Sequence, residues 1–404
     1  MDSLNTRCVI AGGGPAGMML GFLLARAGVP VTVLEKHKDF LRDFRGDTVH
    51  PSTLQIMYEL GLLDDFLKLP HSEVRSVQFQ IGRDRLTLGS FDSLPVRCKF
   101  IALMPQWDFL NFLAEKARAF PAFDLRMCAE ATDLLMEGGR VAGVRASTPD
   151  GPLEIRAALT MGCDGRHSTL RRCAGLETES FGAPMDVLWF RITRKQTDPG
   201  EVFGHIEKGR MLVMLNRNDY WQCAYVIPKG GAAAVEQRGL DAFRDAFVSL
   251  APFLSGRRNE IDGWEKVRLL TVAVDCLRCW SKPGLLLIGD AAHAMSPIGG
   301  VGINLAVQDA VAAANILTGP LKRGEADSET LTAVQRRREF PARATQRIQL
   351  LMQKSLVAPA LGDAAEPSAP WFLRMIQWPL LNRLPGRLLA LGIRPEHVRT
   401  LLSP

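Results

Sequence analysis

The stretch that decides the fold is CVIAGGGPAGMMLGFLLARAGVPVTVLEK, Cys8 to Lys36. Cys8 to Ala11 is an unbroken apolar run, the pattern of a buried strand, and Val31 to Leu34 reads as a second buried strand. Met18 to Ala27 between them is apolar with a helical period. The first strand and the helix are joined by Gly12-Gly13-Gly14-Pro15-Ala16-Gly17, a complete G-x-G-x-x-G. In such a turn Gly12 permits the tight bend, Gly14 lets a pyrophosphate approach the backbone, and Gly17 lets the helix pack on the strand. The helix start adds unpaired N–H groups and the positive end of its dipole. Glu35 closes the second strand, 18 residues after Gly17, placed to accept hydrogen bonds from a ribose diol. Strand, glycines, helix, strand and acid in this order predict a Rossmann-like dinucleotide-binding unit, with Pro15, Ala16 and Lys36 beside the same ligand.

The rest of the chain sets bounds. It has 404 residues, 47% hydrophobic and 23% charged, enough for a large core and more than one domain. The polar start Met1-Asp2-Ser3-Leu4-Asn5 runs straight into a strand, so no secretory signal is expected. No apolar run is expected to span a membrane, which makes the cytoplasm the expected compartment. Cys276 and Cys279 form a lone C-x-x-C with no second pair nearby, so neither zinc nor redox chemistry is expected there. The net charge is +6, and residues 331–404 hold eleven Lys and Arg against four Asp and Glu, leaving the remainder at −1. That distribution argues against a nucleic-acid binder, and QRRREF, Gln335 to Phe340, reads as a solvated helix face. The basic segment is also a candidate for weak contact with a membrane surface.

Three further stretches narrow the cofactor. After Glu35 comes a basic loop with Arg42 and Arg45, feeding a helix near Pro51. A nicotinamide dehydrogenase would continue with more strand–helix units, whereas these arginines suit a longer cofactor. LTMGCDGRHSTLRRCAG, Leu159 to Gly175, reads as a strand ending at Cys163, an Asp164-Gly165 turn, and a helix capped near Ser168. LLLIGDAAHAMSPIGGVGIN, Leu285 to Asn304, reads as a strand to Gly289 closed by Asp290, then Pro297, Gly299, Gly300 and Gly302 where a long small-residue helix begins. Such glycines let a backbone come close to a ligand.

In this order and spacing the three motifs resemble the p-hydroxybenzoate hydroxylase-like FAD-dependent monooxygenases, over about residues 5–345. GGGPAG resembles the family's ADP-binding glycines, CDGRHSTLR its D-G-x-x-S-x-x-R motif, and GDAAHAMSPIGGVGIN its ribityl- and flavin-binding stretch. The resemblance implies that Arg45 contacts the cofactor, Gln106 the ribityl or phosphate region, and Ala131 the adenine through its backbone. It places Asp164 at the second motif, Asp290 on the ribityl chain, and Pro297, Gly300, Gly302, Ile303 and Asn304 along the flavin. It implies an α/β fold whose FAD-binding domain comprises residues 1–73, 101–182 and 276–345, with an inserted antiparallel substrate sheet from residues 74–100 and 183–275. Residues 346–404 would be a helical C-terminal segment. NADPH or NADH would bind transiently, and O₂ captured by the reduced flavin as a hydroperoxide would hydroxylate a small aromatic substrate.

Segments VLWFRITR, EVFGHIEK, RMLVMLNR and YWQCAYVIP look like antiparallel strands, with VRSVQFQI from Val74 a candidate to join them and Asp241 to Leu250 a covering helix. Their Trp189, Arg191, Met214, Trp221 and Tyr225 are candidates for the substrate wall, Trp189 sharing a face with Arg191 and Trp221 with Tyr225. His293 reads as structural rather than as a base. No G-x-S-x-G, H-E-x-x-H or carboxylate pair points to hydrolysis, as expected where the cofactor carries the chemistry. Alternatives are a related flavin enzyme acting on a quinone-like substrate or using an external reductant, a halogenase or alkene reductase on the same fold, and a flavin-binding protein without turnover.

Overall fold

The computed structural model describes residues 2–41, 48–82, 84–199, 203–207, 209–362 and 383–403. The apolar run at Cys8 is the end of a strand, Asp2–Ala11, at the centre of an eight-stranded sheet. Gly151–Gly162 lies parallel to it on one side, from Asp2 opposite Leu153 to Ala11 opposite Gly162, and Val31–Leu34 on the other. Phe123–Arg126 and Leu285–Leu287 extend the parallel set outward. The two strands Glu130–Glu137 and Arg140–Thr148 add antiparallel pairing beside the first half of Gly151–Gly162. The five parallel strands finish at one level: Ala11 stands beside Leu34 and Gly162, Gly162 beside Leu287, and Leu34 beside Arg126. Everything the motifs supply therefore emerges along one edge.

A parallel sheet must be covered. Helix Pro15–Arg26, buried from Ala16 through Ala25, packs on helix Gly302–Arg323 over this one. The second helix corrects an expectation. Residues 298–323 are apolar and long enough to cross a membrane, but 72% of the apolar window is buried in the protein, so this is a core helix.

The second sheet has seven strands in the order Arg268–Leu270, Met185–Thr193, Tyr220–Pro228, Arg210–Asn216, Phe203–Glu207, Ser76–Ile81 and Asp84–Ser90. Neighbours are antiparallel except Ser76–Ile81, which joins Phe203–Glu207 in parallel. Those two strands come from distant parts of the chain, so no hairpin fixes their relative direction. Alternation divides the sheet between two layers. Leu188, Phe190, Leu212, Met214, Trp221, Cys223 and Tyr225 face helix Leu240–Leu250 and its Phe243 and Phe247. Met185, Val187, Trp189, Met211, Val213, Ala224 and Val226 face Ile298 of the glycine turn and Leu356 to Leu361.

Helix Ser328–Met352 starts at Asp327, whose carboxylate accepts from the Thr330 N–H, and carries the QRRREF run. That run is not the solvated face expected of it. Arg338 is fully buried, paired with Asp309 at 2.8 Å and Glu396 at 3.3 Å, and Arg337 pairs with Glu396 at 2.7 Å. The chain ends as a helix, Arg383–Leu391, and an extended tail.

Candidate functional site

Where the sheet edge meets Gly12 the backbone leaves no room. Gly12 has φ +104°, and a Cβ there would lie 2.3 Å from the Cys163 carbonyl oxygen. A Cβ on Gly17 would lie 2.0 Å from the Gly12 oxygen. Gly14 is different: it caps helix Pro15–Arg26 at φ −75°, and none of the described residues stands within 4 Å of where its Cβ would be. The Glu35 carboxylate holds this turn, accepting from the Gly13 N–H at 3.1 Å and the His37 N–H at 3.1 Å. A carboxylate accepts more than two hydrogen bonds, so a sugar diol can share it. The Ala129 N–H donates to the Glu35 carbonyl at 2.9 Å, which brings the strand bearing Ala131 beside the acid. Lys36, half exposed, pairs with Glu130 at 3.9 Å.

The second motif is a clasp. Asp164 accepts from Ser168 Oγ at 2.6 Å and the Leu170 N–H at 3.1 Å, while Ser168 caps its helix by accepting from the Arg171 N–H. Arg171 donates across to the Ala291 carbonyl at 3.1 Å, and Arg166 stands 3.9 Å from Asp290. Asp164 is thus engaged in shaping its own turn, while Asp290 sits half exposed at the edge.

The third motif rests on the first, because a Cβ on Gly289 would lie 3.1 Å from that of Ala16. Buried Asp309 secures it, accepting from the Gly289 N–H at 3.1 Å, His293 Nε2 at 2.6 Å and Arg338 Nε at 2.8 Å. Burial pushes the Asp309 carboxyl up, but His293 and Arg338 outweigh it and hold it below the usual range. His293 is 1% exposed and is part of this knot, in keeping with a structural role.

Beyond it, Gly299 at φ +78° and Gly300 at φ +62° form the turn into helix Gly302–Arg323. Thr48 Oγ1 donates to the Gly300 carbonyl at 2.7 Å, and the Gly300 N–H to that of Pro297 at 3.0 Å. Gly302 likewise has none of the described residues within 4 Å of where its Cβ would be. The side chain of Asn304 points inward: its Oδ1 accepts from the His50 N–H at 2.9 Å and Thr53 Oγ1 at 2.7 Å. Only the backbone of Gly302, Ile303 and Asn304 is left for a ligand, as N–H groups of a helix start. Gln106, partly buried, opens helix Gln106–Ala117. Arg42 and Arg45 lie outside the described residues. Sequence reasoning missed His50, whose Nδ1 donates to the Leu389 carbonyl at 2.8 Å and whose burial pushes its imidazole down to about 4. Its signal was a polar V-H-P-S-T at the start of an apolar helix.

The substrate candidates separate. Trp189 lies on the face toward the glycine turn, and Arg191 shares that side, its guanidinium 4.9 Å over the Tyr220 ring. Arg217 and Gln222 extend this polar end, linked at 3.2 Å. Burial pushes the Arg217 guanidinium down to about 10, still cationic at neutral pH. Met214, Trp221 and Tyr225 are corrected: they sit on the opposite face, at 0%, 0% and 8% exposure, in the core with Phe243 and Phe247. Trp221 donates from Nε1 to Asp198 at 2.9 Å, away from the glycine turns. Alternation groups residues by face, and Met214, Trp221 and Tyr225 fall on the face that helix Leu240–Leu250 covers.

A family model described as an FAD binding domain matches residues 5–348. The 6-methylpretetramide 4-monooxygenase of Streptomyces rimosus is 31% identical over 366 residues, 90% of this chain and 87% of that protein. A Pseudomonas para-nitrophenol 4-monooxygenase is 25% identical, over 82% of this chain and 83% of its own. In fold, the anhydrotetracycline hydroxylase of Streptomyces rimosus superposes with a TM-score of 0.78 at 23% identity, covering 97% of this chain and 77% of that one. The chain therefore belongs to the FAD-binding family of aromatic monooxygenases and is an FAD-dependent oxidoreductase of that kind.

Proposed function

We propose that this protein hydroxylates a phenolic aromatic compound, consuming one O₂ and one NADH or NADPH and releasing one water. The observation that carries the reading is the pair of open helix starts, Gly14 and Gly302, on one sheet edge and joined by the Gly289–Ala16 contact. Any side chain at either position would fill space that a long, flat cofactor needs. Gly12 to Gly17, Glu35 and Ala131 would hold the adenosine diphosphate of FAD, Gln106 and Asp290 its ribityl chain, and Pro297 to Asn304 its ring. When bound, FAD accepts hydride from the nicotinamide and activates O₂.

The chain's own residues do the rest. N–H groups at Ile303 and Asn304 stabilise negative charge at the helix start. Val213, Ala224, Val226 and Ile298 keep water from the face on which the aromatic ring lies. Arg191 and Arg217 favour the ionised phenol over the neutral one, which makes its ring more electron-rich. No second dinucleotide-binding unit is present among the described residues, so the nicotinamide binds transiently.

The test is anaerobic mixing of the FAD-loaded protein with NADH and then NADPH, with and without phenols, while following flavin absorbance. Bleaching that a phenol accelerates is the expected result. A yellow protein that neither reductant bleaches refutes direct reduction, and a chain that cannot be reconstituted with FAD refutes the whole reading.

A further inference from the structure

The C-terminal helix Arg383–Leu391 has no part in the three motifs, yet it closes the seam between the two sheets. Its close approach is built in: a Cβ on Gly89 would lie 2.9 Å from Gly386 Cα, and one on Gly386 would lie 2.4 Å from the Ser90 carbonyl oxygen. Ala390 and Leu391 pack with Phe91, Leu94, Ile101 and Leu103, a cluster that Leu215 and Leu389 also join. At Leu389 the helix touches the candidate site directly. Its carbonyl accepts from His50 Nδ1 at 2.8 Å, and a Cβ on Gly299 would lie 2.9 Å from its Cδ1.

The tail that follows ties the helix to four helices of the FAD-binding part of the chain. Glu396 pairs with Arg337 and Arg338, and the Val398 N–H donates to Glu59 at 2.9 Å. The Arg399 N–H donates to Asn315 at 2.8 Å, and the Ser403 N–H to the Arg26 carbonyl at 3.0 Å. A helix held against the edge of the seven-stranded sheet, tied through its tail to the helices of the FAD-binding part, and touching the glycine turn is a fixed boundary beside that turn.

We propose that Leu389 is a specificity-determining residue: it stands where the Gly299–Gly300 turn, His50 and the site-facing side of the seven-stranded sheet meet, and it limits the length of the aromatic substrate. This rests on the aromatic hydroxylase reading. Shortening the side chain opens the boundary without touching the glycines, and Ala suits a helix at least as well as Leu. Leu388, 37% exposed on the same helix, is the control.

The experiment measures binding by perturbation of the flavin spectrum in the FAD-loaded full chain, with 4-nitrophenol as the one-ring and 2-naphthol as the two-ring probe. The expected result is that Leu389→Ala shifts the ratio of the two Kd values at least tenfold toward 2-naphthol. Leu389→Phe shifts it the other way, and Leu388→Ala leaves it unchanged. A ratio unaltered in both Leu389 variants, in a protein that binds both phenols, overturns the proposal and leaves the hydroxylase reading standing. Hydrogen exchange of residues 295–305 provides a readout that needs no phenol. If the wild type binds neither probe, the hydroxylase reading falls. Exchange that then quickens in Leu389→Ala but not in Leu388→Ala supports the boundary, and exchange unchanged in both overturns it.

Discussion

Replacing Gly14 and Gly17 separately by Ala distinguishes a glycine the fold needs from one the ligand needs. The Gly14 backbone, at φ −75° and ψ −175°, suits any residue, and its Cβ position is open. The cost to the folded protein is about 0.5–1 kcal/mol for a poorer helix cap, offset by about 0.4–1 kcal/mol from a less flexible unfolded chain. Stability without FAD should therefore change by less than about 1 kcal/mol. A bound pyrophosphate would lose its close approach to this turn, and each charge-assisted hydrogen bond lost costs about 1.5–3 kcal/mol, roughly 10- to 150-fold in Kd. Gly17 is different, because its new Cβ would lie 2.0 Å from the Gly12 oxygen, well inside contact. The helix must shift, at about 1–3 kcal/mol or more, before any ligand binds. Urea denaturation of the two apoproteins and calorimetric titration with FAD separate these outcomes. A Gly14→Ala protein that binds FAD as tightly as the wild type would refute the placement of the pyrophosphate.

Three further outcomes follow from the packing. Asp309→Ala leaves Arg338 charged and buried without its nearest partner, so a loss of about 3–5 kcal/mol is expected from urea midpoints. Burial pushes Asp198 up, but hydrogen bonds from Arg257, the Lys195 N–H and Trp221 outweigh it and hold the carboxyl at about 2 against an ordinary 3.8. This group is lowered on folding, so its contribution is complete above about pH 4 and fades as pH falls toward 2. The stability gap between wild type and Asp198→Asn, about 2 kcal/mol at neutral pH, should close over that window in pH-dependent urea melts. Trp221→Ala should cost about 3–5 kcal/mol of stability with little change in the relative binding of phenols. Trp189→Ala should do the reverse, and a Trp221→Ala protein with wild-type stability would contradict its place in the core.

What was legible in the sequence is what the backbone itself demands. Gly12 and Gly17 each abut a carbonyl oxygen, so no other residue fits, and the runs at Cys8 and Val31, with Thr32 their one polar residue, read as strands buried on both faces, as parallel strands are. The face of the small sheet that meets the site was not legible. Leu188, Phe190 and Ile192 are as apolar as Val187 and Trp189, and alternation sorts the two sets without saying which one a helix will cover. Nor was the burial of Arg338, whose partners lie 29 and 58 residues away on the helix before and the tail after. Within QRRREF it looks like its neighbours Arg336 and Arg337.

The knot around Asp309 shows why an ionic set stands where apolar packing would do as well or better. A buried ion pair contributes little stability relative to hydrophobic residues of the same shape. What it provides is direction. One carboxylate oxygen accepts from both Gly289 and His293, and the other accepts from Arg338, so turn, long helix and following helix can meet in only one arrangement. That arrangement sets Gly289 against Ala16 and so fixes the third motif on the first. Arg338 then passes the constraint to Glu396, which lies on the tail that follows the helix bearing Leu389. The glycine turn and the boundary proposed for the substrate are thus positioned from one buried carboxylate, and a change at Asp309 should alter both, while Trp221 in the distant core should alter neither.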